Sequence, residues 1–269
     1  IESSNQLQED AESKKIYFTN GKPLPVGSLM KRPDLAFTFK EISKNGKSGF
    51  YEGIIAEKFV DAMKANNGFF TLEDLKSYEP VMTSPIVGSY RENLVFTAGP
   101  PSGGGVVLLT SLNMLSFFDL SKFGSNSAKT YHLLGESLRR GHNNRSHQVG
   151  DPSKYNVPIK TLLSKNRMKE LAKGLNMLKA TPSSKVKPLR VVNESRDTTH
   201  YSIVDSDGNA VSNTYTLGYS FGSGVTIPGT GILMNNQMNN FAYRYGDSSI
   251  EGRVASPGNK FEPGKRPMS

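Results

Sequence analysis

The sequence predicts an α+β fold, and three observations carry that prediction. Apolar residues at helical spacing dominate the first part of the chain. Alternating strand patterns dominate the last part, and Gly- and Pro-rich turns separate the segments. Helices first and strands afterwards suit α+β layering, or a layered α/β arrangement.

The elements follow in order. Residues 1 to 31 are polar and carry Asn20-Gly21 and Pro23-Leu24-Pro25, so they read as loop or a short hairpin. Leu35, Phe39 and Ile42 predict a helix over Pro33 to Ser43, with Gly46 as its stop. Ile55, Phe59 and Met63 predict a second over Ile54 to Ala65, ended by Asn66-Asn67-Gly68. Thr71 and Asp74 form a capping-box pattern for a short helix through Leu75. Pro85 to Gly88 and Asn93 to Thr97 read as strands around Tyr90-Arg91. Val106 to Phe118, Ser127 to Arg145 and Thr161 to Leu178 read as helices. In the middle one, Tyr131, Leu134 and Leu138 are expected to face inward, with Arg139 and Arg140 exposed. Thr181 to Arg196 is a polar, basic connector that ends beside Thr198.

At 269 residues and 36% apolar, the chain suits one large domain or two modest ones. It opens on Ile1-Glu2-Ser3-Ser4, which reads as a processed, trimmed or partial N-terminus. No run approaches the length of a membrane span. The absence of Cys excludes disulfides, thiolate catalysis and Cys-based zinc sites. A net charge of +9 comes from scattered Lys and Arg without a nucleic-acid signature, so no nucleic acid is expected.

Pro100-Pro101-Ser102-Gly103-Gly104-Gly105 before a helix invites a phosphate reading. It lacks the Gly-Lys-Ser/Thr ending of a P-loop, so close backbone packing is the better account. The spacing of His132, His142 and His147 fits no metal motif, and no cofactor or metal is expected. Asn144-Arg145-Ser146 and Asn193-Glu194-Ser195 match the glycosylation pattern, which often arises by chance.

Thr198 is different. It precedes the alternating run Thr199 to Val204, the turn Ser206-Asp207-Gly208-Asn209 and a second run, Ala210 to Leu217. Asp207-Gly208 between such runs signals a hairpin. His200 would share a strand face with Thr198, and a structural role suits it better than pairing. A cut between Asp197 and Thr198 would give Thr198 a free α-amino group, with a pKa of roughly 7.7–8.0. Nucleophile and base would then be one residue. On local pattern alone, an ordinary Thr opening a strand is the better reading.

The longer pattern reverses that. Thr198 to Asp205, Gly208-Asn209-Ala210-Val211, Thr214 to Leu217, Phe221 to Gly224, Gly231 to Met238 and Pro263 to Ser269 together resemble the γ-glutamyltranspeptidases. Upstream, Phe50 to Glu57, Pro100 to Gly104 and Gly150-Asp151-Pro152 extend the resemblance over almost the whole chain. It implies a four-layer αββα sandwich of the N-terminal-nucleophile hydrolase type, incomplete at both ends. Residues 1–197 would be the C-terminal part of the large subunit, mostly helical. Residues 198–269 would begin the small subunit.

It further implies that Thr198 is the nucleophile and that Thr216 hydrogen-bonds it and its amino group. Gln237 would help hold the donor's α-amino end, and Ser269 its α-carboxylate. The reaction would pass a γ-glutamyl group from glutathione, or another γ-glutamyl amide, to an amino acid, a peptide or water. Partners would include the rest of both subunits, and localisation would be periplasmic or secreted.

Three departures bear on this. Gly218 stands where many members have Asn, so a substrate contact is missing. Asn240 stands where many have Asp, which replaces a charge-assisted bond to a substrate ammonium with a neutral acceptor. An acylase of the same fold, acting on a group such as glutaryl, is therefore an alternative. The family's oxyanion Gly-Gly pair is expected beyond Ser269 and its substrate-clamping Arg before Ile1, so this stretch alone is expected to be inactive or poorly folded. A non-catalytic binding relative is the alternative from another class, and the joint presence of Thr198, Thr216 and Gln237 speaks against it.

Overall fold

A computed structural model describes residues 5–182, 185–186, 198–242 and 256–268. Asp197, Ser269 and the triplet starting at Asn193 lie outside the described residues. The chain opens with α1 (Asn5–Glu9), α2 (Ala11–Tyr17) and the pair β1 (Phe18–Thr19) and β2 (Lys22–Pro23). Next come α3 (Pro33–Asn45), α4 (Ser48–Tyr51), α5 (Gly53–Ala65) and α6 (Leu72–Lys76). The hairpin β3 (Ile86–Tyr90) and β4 (Asn93–Thr97) precedes α7 (Gly104–Leu115), α8 (Ala128–Gln148), α9 (Ile159–Leu162) and α10 (Lys165–Lys173). Strands β5 (Thr199–Val204), β6 (Ala210–Tyr215), β7 (Thr226–Ile227) and β8 (Ile232–Leu233) follow. Each described sheet is one antiparallel pair. The predicted α+β class is therefore observed.

The chain packs as two compact bodies. One combines Ile1–Val81 with Ser195–Gln237, and the other combines Met82–Glu194 with Met238–Ser269. This division follows packing. The expected boundary between 197 and 198 is a chemical one, which need not coincide with an edge between cores.

In the first body, α5 supplies the predicted face. Ile55, Phe59 and Ala62 are buried against Ile227, and burial of each large side chain contributes about 1.5–3 kcal/mol. Asn67, at φ 57°, turns the chain after α5. The capping box forms: Asp74 N donates to Thr71 Oγ1 at 3.2 Å and Thr71 N to Asp74 Oδ2 at 2.9 Å.

Two expectations are corrected here. Residues 5–17 are helical rather than loop, because Leu7 and Tyr17 are buried in a second cluster with Phe18. Asp10 also caps α2 through Ser13 N at 2.8 Å. On α3, Phe39 is exposed and the buried residue is Thr38, whose hydroxyl donates to Thr230 O at 2.8 Å. Leu35 and Ile42 are partly buried on the same face, so this hydrogen bond acts together with two of the three expected apolar positions.

In the second body, α7 packs on α8. Gly141 permits this approach, since a Cβ there would lie 2.9 Å from Val107 O. The α8 face is the reverse of the expected one. Leu133, Glu136, Arg140 and Asn144 are buried, while Tyr131, Leu134 and Leu138 are exposed. The ion pairs explain it. Glu136 accepts from Arg140 Nη1 at 2.7 Å, from Arg139 Nη1 at 2.6 Å and from the Thr181 hydroxyl at 2.6 Å. Burial raises the Glu136 pKa, but Thr181 and Arg140 outweigh it and leave the carboxyl below its ordinary value. Asn144 bonds Thr110 and Arg167, so a buried side chain occupies the first glycosylation triplet.

The helix expected over Thr161 to Leu178 is two helices, broken at Leu163-Ser164. Leu162 packs with Val106, Val149 and Met268, while Ser164 starts α10. The Gly-rich stretch serves close packing: a Cβ at Gly105 would lie 2.2 Å from Ala98 O.

Asp151 fastens the distant segment around Arg266. Its carboxylate accepts from Arg266 Nη2 at 2.7 Å, Nε at 3.2 Å and the backbone N at 2.8 Å. Burial pushes its pKa up, yet Arg266 and Ser153 hold it well below the carboxylate range. A depressed folded-state pKa stabilises above the unfolded value, about 3.9, and that contribution is lost as pH falls through the folded value. Asp151→Asn is expected to cost about 2–3 kcal/mol near neutral pH. That is less than a fully buried pair because Arg266 is 37% exposed. It should also flatten the decline in stability below about pH 4. Urea unfolding of the intact protein across pH checks both.

Candidate functional site

The candidate site is built on the β5–β6 hairpin. Its turn is organised by Asp205, whose Oδ1 accepts from Asp207 N at 3.0 Å and Asn209 N at 2.8 Å. Gly208 adopts φ 82°, the left-handed conformation that closes the five-residue connection between the strands. Hydrogen bonding to Asn209, side chain first, lowers the Asp205 pKa. The turn fixes the register: Val204 faces Ala210, His200 faces Thr214 and Thr199 faces Tyr215.

Alternation then gives the ribbon two chemically distinct faces. One carries Tyr201, Ile203, Val211 and Tyr215, with the two Tyr rings edge to face at 6.4 Å. The other carries hydroxyls around His200. Its Nδ1 lies 2.6 Å from Thr214 Oγ1, and its Nε2 lies 3.3 Å from both Ser202 Oγ and Ser212 Oγ.

One step beyond the last pair, the same register sets Thr198 opposite Thr216. Both line one cavity of about 370 Å³, with Thr199, Tyr215, Tyr219 and Ser220. Among the described residues, no charged side chain lines it. Thr216 Oγ1 accepts from Gly218 N at 3.0 Å, which turns the chain after β6. Gln237 reaches the same segment, with Nε2 donating to Thr216 O at 3.4 Å. Thr198, Thr216, Gly218 and Gln237 thus belong to one body. Asn240 belongs to the other, at the end of the 3₁₀ turn Gln237–Asn240.

Gly218 has a structural explanation that sequence reasoning missed. Its φ is 98°, and a Cβ there would fall 1.9 Å from Asn236 Oδ1. Asn236 is itself anchored, accepting from Tyr219 N at 3.0 Å and donating its backbone N to Leu217 O at 2.8 Å. An Asn at 218 would displace it.

A second cavity, about 530 Å³, was also missed. Phe50, Tyr51, Phe70 and Tyr78 line it, and it shares Leu217 with the Thr198 cavity. Tyr51 and Tyr78 stack at 5.6 Å, and burial followed by Tyr78 raises the Tyr51 pKa. These aromatics come from separate helices and loops, so no local pattern announces them. Among the described residues, no group of three His, Asp or Glu could hold a metal.

Comparison with known proteins matches this arrangement to a family. The model of the gamma-glutamyltranspeptidase family matches residues 1–269. The glutathione hydrolase proenzyme of Escherichia coli K12 is 39% identical over 267 residues, covering 99% of this chain and 46% of that protein. The chain thus spans about half the length of the curated relatives it matches. The crystal structure of Helicobacter pylori gamma-glutamyltranspeptidase superposes with a TM-score of 0.65 at 36% identity, over 68% of this chain and 52% of that one. Cephalosporin acylase from Bacillus halodurans superposes with a TM-score of 0.80 at 27% identity, over 99% of this chain and 45% of that one. The fold is thus of the N-terminal-nucleophile hydrolase type, and the chain belongs to the gamma-glutamyltranspeptidase family.

Proposed function

We propose that the protein matures by cleavage between Asp197 and Thr198, and that Thr198 then transfers a γ-glutamyl group from glutathione or a related amide to an amino acid, a peptide or water. The observation that carries this reading is that Thr198 and Thr216 line one cavity, one step past the Thr199–Tyr215 pair. In maturation, the Thr198 hydroxyl attacks the Asp197 carbonyl carbon, the peptide C–N bond breaks as the acyl group passes from nitrogen to oxygen, and water hydrolyses the resulting ester to release the Asp197 carboxylate. This leaves Thr198 with a free α-amino group.

In turnover, that amine takes the hydroxyl proton as Oγ1 attacks the γ-carbonyl. It returns the proton to the departing amine, and an ester remains on Thr198. Water or an acceptor amine then attacks the ester and frees the enzyme. Thr216 orients the nucleophile, Gln237 and Asn240 receive the donor's amino end, and Ser269 its carboxylate. The remainder of the two subunits would complete the site, in a periplasmic or secreted setting. No helix among the described residues is long and apolar enough to cross a membrane.

A second reading keeps the same chemistry with a different acyl group, such as glutaryl. Asn240 in place of Asp and the likeness to cephalosporin acylase favour it.

Thr198→Ala is expected to leave the precursor uncut and to lower turnover at least about 10³-fold. Gel electrophoresis and an amide hydrolysis assay check this. Thr216→Ala should cost about 10–100-fold in kcat, the effect of losing one orienting hydrogen bond. Wild-type kcat/KM should rise with pH through the amine pKa, roughly 7.7–8.0 if unperturbed. Asn240→Asp should raise the preference for γ-glutamyl over glutaryl anilides about 5–50-fold, through a charge-assisted bond to the ammonium. Wild-type turnover that is faster on the glutaryl anilide selects the second reading.

A further inference from the structure

We propose that Asn259 is a positioning residue for substrate recognition, whose single carboxamide ties the backbone at Asn240 to the backbone at Met268. This deepens the reading above and rests on it. Asn259 is 2% exposed. Its Nδ2 donates to Asn240 O at 2.7 Å, and its Oδ1 accepts from Met268 N at 2.8 Å. One side chain thus fixes the residue assigned to the donor's amino end and the residue that precedes Ser269 in the chain.

The surroundings hold Asn259 itself in place. Its backbone N donates to Ser256 O at 2.9 Å, and its backbone O accepts from Ala242 N at 2.9 Å. Phe261 N donates to Ala242 O at 3.1 Å, and the Phe241 and Phe261 rings meet edge to face at 5.4 Å. Gly150 backs the turn closely, since a Cβ there would lie 2.2 Å from Gly258 O. Asp151 grips Arg266 two residues before Met268. The segments around 240, 259 and 268 are therefore one braced assembly with Asn259 at its centre.

The chemistry requires an amide. It supplies a donor and an acceptor at once, and both partners are backbone atoms that the carboxamide meets at ordinary hydrogen-bond lengths. Asp at 259 keeps the acceptor for Met268 N but turns a carboxylate oxygen toward the Asn240 carbonyl. Buried groups set against each other in this way move apart. Asn259→Asp is thus a selective cut of the Asn240 arm.

The test uses the intact, mature protein with γ-glutamyl and glutaryl anilides. Asn259→Asp should raise KM for the γ-glutamyl anilide about 5–20-fold. Its kcat and its cleavage at Thr198 should stay within about twofold of wild type. KM for the glutaryl anilide, which has no α-amino group, should change less than about twofold. On an Asn240→Ala background, Asn259→Asp should add little further to KM. Equal losses on both anilides, a fall in kcat at constant KM, or full additivity with Asn240→Ala would overturn the proposal. Should Asn259→Asp not accumulate, Asn259→Leu, which is of similar shape and removes the bond to Asn240 O, carries the same comparison of the two anilides. Failure of both variants to fold would make Asn259 purely structural and overturn the proposal as well. If wild-type protein is never cut at Thr198, the underlying reading fails first, before any variant is compared.

Discussion

The register of the β5–β6 hairpin is the constraint on which the site depends. It is set by a five-residue connection in which Asp205 collects Asp207 and Asn209, and Gly208 takes a left-handed conformation. A slip of one residue would move every side chain to the opposite face. Thr198 would then face away from Thr216, and the hydroxyl row around His200 would be replaced by Tyr201 and Ile203. The turn, although remote from the cavity along the strands, therefore decides which side chain meets Thr216. His200 contributes to the same outcome by cross-strand bonding to Thr214 and Ser212.

The second body is organised by a different principle. Its key contacts are buried polar groups paired with one another. Glu136 faces Arg139, Arg140 and Thr181; Asp151 faces Arg266; Asn259 faces Asn240 and Met268. Such groups are costly when unpaired, so they specify geometry more sharply than apolar contacts do. In this body they fix the segments that carry Asn240 and Met268.

Much of the fold was legible where local chemistry decides it. The hairpin turn, the Thr71–Asp74 box and the apolar face of α5 follow from residue type and spacing. The errors arose where a long-range polar contact overrode the local pattern. Thr38 bonds Thr230 and turns α3 so that Phe39 is exposed. Glu136 draws Arg140 inward and reverses the expected face of α8. Leu7 and Tyr17 hold two short helices that a polar sequence does not announce. At the site, Thr198 and Thr216 were readable through the family pattern, and the register brings them to one cavity. The conflict between a side chain at 218 and Asn236 was not readable, because it depends on a close approach across 18 residues. The role of Asn259 was hidden for the same reason.

The central claim is that Thr198 becomes a chain terminus and acts as the nucleophile. N-terminal sequencing of the purified intact protein tests it most directly. The account predicts two polypeptides, one of which begins Thr-Thr-His-Tyr, and a Thr198→Ala variant that stays uncut. A single uncut chain with amide-hydrolysing activity, unchanged by Thr198→Ala, would contradict it.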